Sequence, residues 1–235
     1  MMNKPILTST GAWLFPIAVW NHGIRALSPE YDSSIPEKGS FAYTSYDEGK
    51  TFHKLGYADI KDRSFDEHMI LEMQDKSLMM YVRTNYGIGA ARSLDGGLTW
   101  IEGFNTGYGG PNSRFHIRRL KSGRILLINH YNYTGRNNLT AMLSEDDGQT
   151  FPYTLLLDER ASVSYPDAKE AEDGFIYITY DRERGAGAKT PEERENAAKE
   201  ILIAKIREED ILNGKLIDPD SFLQRVANKL ERISS

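Results

Sequence analysis

Three stretches of the chain spell one turn: Ser45-Tyr-Asp-Glu-Gly-Lys-Thr-Phe52, Ser93-Leu-Asp-Gly-Gly-Leu-Thr-Trp100 and Ser144-Glu-Asp-Asp-Gly-Gln-Thr-Phe151. All fit S-x-D-x-G-x-T-[FW], and their first serines stand 48 and 51 residues apart. Five specified positions recurring three times at nearly constant spacing mark an internal repeat. The residue types describe a tight hairpin. Asp47, Asp95 and Asp146 can accept hydrogen bonds from the N–H groups of their own turns, while Gly49, Gly97 and Gly148 supply positive φ at little cost. The threonine opens the return strand, and Phe52, Trp100 or Phe151 is expected to tuck an apolar ring under the turn. Calcium would need more carboxylates at ligand spacing than any of these loops offers.

A second periodic feature precedes each turn. Apolar strand pairs fold about Gly11 (Ile6–Leu7 with Trp13–Trp20), Asp75-Lys76 (Met69–Met73 with Leu78–Val82), Ser122-Gly123 (His116–Leu120 with Ile125–Ile128) and Asp173-Gly174 (Asp167–Ala171 with Phe175–Tyr180). Each unit reads as four antiparallel strands over roughly 45 to 65 residues, the composition of a propeller blade. The fold class is therefore all-β, a single β-propeller domain over 1–235, with blade units at about 1–55, 56–104, 105–156 and 157–235. In the fourth unit Glu200–Ile206 is the third strand, and the turn motif has decayed to Arg207-Glu-Glu-Asp-Ile-Leu-Asn-Gly214. Thr190-Pro191-Glu192-Glu193 carries helix-start signals, so a helix is expected over about 190–199. Residues 219–235 are expected to form a closing strand or a short terminal helix.

Composition excludes several classes of function. With 235 residues, 40% of them hydrophobic and 11% aromatic, the chain can bury a sizeable core. A net charge of −5 without a basic run speaks against nucleic acid as a partner. No cysteine is present, so thiolate nucleophiles, thiolate metal sites and disulfides are excluded. No cofactor or metal is implied. No apolar run is long enough to span a bilayer. The stretch Pro5–Trp20 is broken by Ser9, Thr10, Gly11 and Pro16 and reads as a strand pair rather than a signal peptide, which leaves the compartment open.

The repeated turns match the Asp boxes of the sialidases (exo-neuraminidases), and the segments between them resemble that family too. Asp66-Glu67-His68 followed by Leu78-Met-Met-Tyr-Val-Arg83-Thr84 is similar to the sialidase segment that supplies a catalytic glutamate and, 16 residues on, a substrate-binding arginine. Gly135-Arg136-Asn137-Asn138 resembles the segment carrying another binding arginine. Ser164-Tyr165-Pro166-Asp167 resembles the element whose tyrosine is the nucleophile. Tyr180-Asp181-Arg182-Glu183 stands where the family has an acid that orients an arginine. A bacterial group of sialidase-like proteins also shares the Asp-Glu-His, Asn-Ser-Arg-Phe and Ser-Tyr-Pro-Asp segments. The resemblance implies blades from a six-bladed ring, with the Asp boxes structural and away from the active face.

It also implies a site. Tyr165 would be the nucleophile, Glu67 its base, and Arg83 and Arg136 ligands to a substrate carboxylate, with Arg114, His68, Asp167 and Asp181 as further substrate-binding candidates. The chemistry is coherent. Sialic acids carry a carboxylate on the anomeric carbon, so a neutral tyrosine avoids the repulsion a carboxylate nucleophile would meet. Guanidinium groups bind that carboxylate in bidentate fashion, which lysine cannot copy. Plainer readings stand beside these. Arg83 could be a strand-edge residue, Arg136 a solvated loop side chain and Tyr165 a packing ring. Arg114 competes with Arg136 for one role. His68 beside Glu67 could hint at a metal, but no second histidine falls at ligand spacing. Trp20, Asn21 and His22 could line a sugar pocket or merely pack. Asp181 and Glu183 could orient an arginine or pair with Arg182 and Arg184 in a solvated loop.

Two parts of the sialidase pattern have no counterpart: the early Phe/Tyr-Arg-Ile-Pro segment and the acid/base aspartate soon after it, for which Asp32 is a weak candidate. The sequence then implies either the C-terminal part of a six-bladed enzyme or a four-bladed protein, with a homo-oligomer or a missing N-terminal propeller segment covering the exposed blade flank. The expected partner is a glycan or acidic sugar. Three functions follow: an exo-glycosidase on terminal sialic acid or a related acidic sugar, a propeller lyase acting on uronates, or a carbohydrate-binding propeller without catalysis.

Overall fold

The computed structural model describes residues 3–19, 39–65, 67–184, 190–192 and 197–230. Trp20, Asn21, His22, Asp32 and Asp66 lie outside the described residues, as do residues 193–196 of the helix expected over 190–199; of the rest, Pro191 and Glu192 are helical and residues 197–199 are not. The chain forms four four-stranded antiparallel sheets, each a propeller blade in which sequence order equals spatial order. They are β1–β4 (Ile6–Leu7, Trp13–Val19, Gly39–Ser45, His53–Ala58), β5–β8 (Met69–Glu72, Leu78–Thr84, Gly87–Ser93, Phe104–Asn105), β9–β12 (His116–Arg119, Ile125–His130, Leu139–Ser144, Tyr153–Asp158) and β13–β16 (Val163–Glu170, Ile176–Arg182, Glu200–Ile206, Phe222–Lys229).

Two compact units result, residues 1–112 and 113–235, each holding two blades. The core of the first unit joins Leu14, Ala42 and Ala58 to Ile70, Met80, Val82 and Ala91. That of the second joins Leu126, Ile128 and Leu143 to Ile176, Ile178, Leu202 and Ile206. These residues recur at every second position of the middle strands, as burial of one sheet face on its neighbour requires.

The repeated turns close as their composition predicts. Asp47 Oδ1 accepts from Ser45 Oγ (2.8 Å), Lys50 N (3.1 Å) and Thr51 N (2.9 Å), and its Oδ2 accepts from Thr51 Oγ1 (2.7 Å). Asp146 repeats the set with Ser144, Gln149 and Thr150, and Asp95 repeats it with Ser93 and Thr99 but without the bond from the residue at the Lys50 position. These bonds hold all three carboxyls at about 2, below the usual 3.8. Thr51 N–H contributes most for Asp47, and the threonine hydroxyl most for the other two. The glycines sit at φ 85°, 95° and 85°, and the residue before each (Glu48, Gly96, Asp147) is left-handed as well. Two successive positive-φ residues match the twist of the flanking strands. The rings differ from expectation. Trp100 does cap its turn, donating from Nε1 to Gly97 O at 3.1 Å, whereas Phe52 stays 52% exposed and rests edge-on against Phe15.

In the fourth blade residues 207–214 are not a decayed hairpin. Glu208–Asn213 form a helix, α1, with three acidic residues in its first turn and Gly214 left-handed after its end. Asp210 inherits the organising role of the turn aspartates: fully buried, it accepts from Arg207 N (2.8 Å), Ile217 N (2.7 Å), Asp218 N (3.2 Å) and Ser221 Oγ (2.6 Å). Burial pushes its carboxyl up, and these donors more than reverse that. The last segment is the closing strand β16.

Candidate functional site

Strand register sorts the sequence candidates by end. In each of the first three blades the first hairpin and the repeated turn share one end, since Leu7 pairs with Trp13 and Trp13 with Ser45, Glu72 with Leu78 and Leu78 with Ser93, and Arg119 with Ile125 and Ile125 with Ser144. In the fourth, Glu170, Ile176 and Ile206 occupy that end. Within its own blade, each candidate lies toward the opposite end. Glu67 precedes β5, Arg83 ends β6, Arg114 precedes β9, Arg136 lies in the β10–β11 loop, Tyr165 begins β13 and Asp181 ends β14.

In the first unit Glu67 and Arg83 form a buried ion pair. Their side chains are 2% and 3% exposed, and Arg83 Nη1 donates to Glu67 Oε2 at 2.6 Å. Two further guanidinium donors meet Asn112: Nε reaches Oδ1 at 2.6 Å and Nη2 reaches the carbonyl oxygen at 3.0 Å. The Phe65 ring covers the guanidinium at 4.8 Å. The offset of 16 residues that singled out this pair is the reach of a β-hairpin: Met69 pairs with Tyr81, so two residues further out Glu67 faces Arg83. His68 turns the other way. It is buried, its Nε2 lies 2.8 Å from Phe41 O, and its own carbonyl accepts from Asn3. Its imidazole is thereby committed to the core of the first unit.

In the second unit two clusters form around β13. Arg114, His116 and Asp167 make the first. Arg114 Nη1 donates to Pro166 O at 2.9 Å, Arg114 Nη2 stands 3.8 Å from Asp167 Oδ1, and His116 Nδ1 lies 3.2 Å from the same oxygen. Arg114 and His116 are nearly buried, and Asp167 is the partly exposed member at 32%.

Tyr165 centres the second cluster. A bulge sets Tyr165 and Pro166 opposite one residue of β14, because Ser164 pairs with Asp181 while Asp167 pairs with Thr179. Tyr165 has φ 57°, a left-handed backbone at a bulky residue preceding proline. The Arg184 guanidinium lies 4.0 Å from the centre of its ring, and that of Arg136 lies 5.9 Å from it. Arg184 Nε contacts Asp181 Oδ2 at 2.8 Å, and Ser164 Oγ donates to Asp181 Oδ1 at 2.7 Å. Burial raises the Asp181 carboxyl, against the pull of Ser164 and of the charges on Arg184 and Arg136.

The loop carrying Arg136 is pinned at both sides. Val163 N donates to Arg136 O at 3.1 Å, and His130 Nδ1 lies 2.8 Å from Asn137 O. Burial, with Arg136 adding to it, lowers His130 to about 4, despite the Asn137 carbonyl, so its imidazole is neutral near pH 7. The segment leading into β13 is anchored by buried Asp158, which receives Arg160 Nε at 2.8 Å and the Tyr180 hydroxyl at 3.0 Å. Burial and that carboxylate push the Tyr180 phenol well up.

Sequence reasoning named Arg184 only as a pairing partner for Asp181 or Glu183 in a solvated loop, and it missed His116; the Asp181–Arg184 pair does form, beside the Tyr165 ring. Arg184 lies in the run Asp-Arg-Glu-Arg, which reads as solvated charge until Glu183 turns left-handed and folds it back. The only available signal for His116 was its position at the start of an inner strand. Glu183 does pair with Arg182, which also reaches Glu200. Among the described residues no group of three or more histidine, aspartate or glutamate side chains is arranged to hold a metal.

Blades with structural turns at one end and arginine, tyrosine and carboxylate clusters at the other define a sialidase-like β-propeller of the BNR-repeat type. Residues 1–178 match the model of the BNR repeat-like domain, and the chain belongs to that family. No curated protein matches it. Among solved structures it is similar to the Hadza microbial sialidase Hz136 (24% identity, 75% of this chain and 34% of that one, TM-score 0.60). It is also similar to the intramolecular trans-sialidase from Ruminococcus gnavus in complex with oseltamivir carboxylate (20%, 92% and 44%, TM-score 0.60). An ulvan lyase resembles it too (14%, 82% and 54%, TM-score 0.53). At these identities the likeness is one of fold, and the chain spans roughly a third to a half of each neighbouring protein.

Proposed function

We propose that this propeller acts on terminal sialic acid or a related acidic sugar as an exo-glycosidase, with Tyr165 as nucleophile and Arg136 as ligand to the substrate carboxylate. The observation that supports this best is Tyr165 itself: a phenol on a strained bulge, flanked by two guanidinium groups, at the end of the blades away from the structural turns. Strained backbone at a bulky residue is retained where its surroundings over-determine it, commonly at functional sites. A phenol can attack an anomeric carbon that bears a carboxylate without the repulsion a carboxylate nucleophile meets. A guanidinium beside it suits the planar carboxylate of the sugar. Glu67 as base and Arg83 as second carboxylate ligand are proposed from the resemblance to sialidases. That the R. gnavus neighbour takes oseltamivir carboxylate fits an acidic ligand.

A uronate lyase is the second reading. The proximity of His116 to Asp167, 3.2 Å, beside Arg114 favours it, since an imidazole near a carboxylate and a cation is what proton abstraction beside a uronate carboxylate needs. A panel of fluorogenic sialosides and uronate glycosides separates the readings. Released sialic acid that disappears in Tyr165→Phe supports the glycosidase. An unsaturated product absorbing in the ultraviolet, lost in His116→Ala, replaces it with the lyase. Sugar binding without turnover of any substrate would leave a non-catalytic binding propeller.

A further inference from the structure

We infer that Arg184 is a positioning residue for Tyr165, a guanidinium staple that holds the phenol in its strained bulge. The inference rests on Tyr165 being the reacting phenol, as proposed above, but not on which sugar it attacks.

The bulge alone does not specify where the Tyr165 ring points. Two residues of β13 oppose one of β14, which breaks the alternation that would otherwise assign the ring to a sheet face. The backbone at Tyr165 is left-handed, and the following Pro166 disfavours most alternatives to an extended chain at that position. Something beyond the ladder has to hold this state, and Arg184 touches each part of it. Its planar group lies 4.0 Å from the ring centre, its Nε is 2.8 Å from Asp181 Oδ2, and its Nη2 donates to Ser164 Oγ at 3.3 Å. Ser164 and Asp181 are the last paired residues before the bulge, one on each strand. Arg184 therefore ties both strands to the ring between them.

Arg184 is itself aimed by the backbone. β14 ends at Arg182, and Glu183 turns left-handed at φ 52°. Glu183 N donates to Ser162 O at 3.0 Å, and Lys199 N donates to Glu183 O at 3.1 Å. This turn carries Arg184 back over the start of β13. The division of labour with Arg136 follows from charge. Arg184 is neutralised by Asp181, so its attraction for a substrate anion is largely cancelled, whereas Arg136 sits 5.9 Å from the ring on a loop pinned through its backbone. Lysine could supply the charge at position 184 but cannot bridge Asp181, Ser164 and the ring face together.

Carbon-13 labelling of the tyrosine ε positions tests this in the substrate-free protein. The Tyr165 signal is assigned by its loss in Tyr165→Phe. In Arg184→Ala, and in Arg184→Lys, that signal should shift and narrow as the ring becomes mobile, while the other tyrosine signals and the melting temperature stay close to those of the parent. Arg184→Gln, which keeps a donor for Asp181, serves if the alanine variant folds poorly. An unmoved Tyr165 signal in these variants overturns the inference. With a turned-over substrate, Arg184→Ala should lower kcat roughly ten- to a hundredfold with KM within about twofold, as expected for a misplaced reacting group, and added methylguanidinium should restore part of it. A raised KM at unchanged kcat would make Arg184 a substrate ligand instead and overturn the positioning role. Absence of turnover with any sialoside or uronate counts against the proposed function, while the Tyr165 signal still decides the role of Arg184.

Discussion

Replacing Glu67 by Gln leaves the Arg83 charge in place with one of its partners neutralised, and the cost follows from the contacts. Both side chains are almost inaccessible, 2% and 3% exposed, so water cannot replace the lost carboxylate. Arg83 keeps Asn112 Oδ1 and the Asn112 carbonyl, but neither carries charge. Removing one partner of a buried ion pair typically costs about 3–5 kcal/mol, most of it from the uncompensated charge. Arg83→Met should cost a similar amount for the opposite reason, taking the ion-pair partner from the buried Glu67 carboxylate and two hydrogen bonds from Asn112. The double variant Glu67→Gln/Arg83→Met removes both charges of this pair and should recover most of the loss. The two changes should therefore be coupled by several kcal/mol, in contrast to the near-additivity of distant sites. Urea unfolding at pH 7, with each arm of the cycle measured under the same conditions, reads this directly. Single losses below about 1 kcal/mol that simply add would refute the reasoning, because they would mean the pair is solvated and contributes as a surface salt bridge does.

Acid should destabilise the protein in two windows. His130, lowered to about 4 by burial, contributes stability that is complete above its ordinary value near 6.5 and lost as the pH falls toward 4; at 1.36 kcal/mol per unit this is on the order of 3 kcal/mol, and His130→Gln should flatten that limb of a urea-based pH profile. Asp47, Asp95 and Asp146, held at about 2, keep their contribution down to the usual carboxylate value near 3.8 and lose it between there and about 2, so a variant carrying asparagine at all three should show a shallower second limb. Asp210→Ala removes the buried acceptor of three backbone N–H groups and the Ser221 hydroxyl in a half-buried turn and should cost roughly 2–4 kcal/mol by urea unfolding, with Asp210→Asn intermediate because one acceptor oxygen survives. Gly56→Ala places a Cβ 2.4 Å from the Leu98 carbonyl oxygen across the seam of the first two blades, and should cost about 1–3 kcal/mol or more in the same assay.

The fold was legible because its information is local. Ser45, Asp47, Gly49 and Thr51 build their turn from contacts within five residues, so spacing and residue type suffice to recognise it, and three copies exclude coincidence. The fourth blade escaped that logic for an equally physical reason. Asp210 performs the same service for the chain around it, yet its donors lie at Arg207, Ile217, Asp218 and Ser221, a reach no eight-residue pattern captures. The helix there announces itself only through its acidic first turn and Gly214, and those same residues also read as a worn copy of the repeat.

The site divides along the same line between local and non-local information. Glu67 and Arg83 were legible together because a two-residue continuation of the β5–β6 register brings them opposite each other, and hairpin distance is written in the sequence. His68, adjacent to Glu67, goes the opposite way because neighbouring residues of an extended chain point to opposite sides, and its partner Phe41 lies 27 residues back in another blade. The contact of Arg184 with the Tyr165 ring was not legible for a third reason: it depends on a left-handed Glu183 and a bulge at Tyr165-Pro166, two departures from regular pairing that composition does not announce. Irregular backbone therefore converts a solvated-looking charge run into the support of a phenol. If that support is functional, the strain at Tyr165 and the staple over it form one device, and substituting either should disturb the same ring. Relieving the strain by replacing Pro166 with alanine should then loosen the Tyr165 ring even with Arg184 intact, whereas a ring that stays fixed would show that the staple alone suffices.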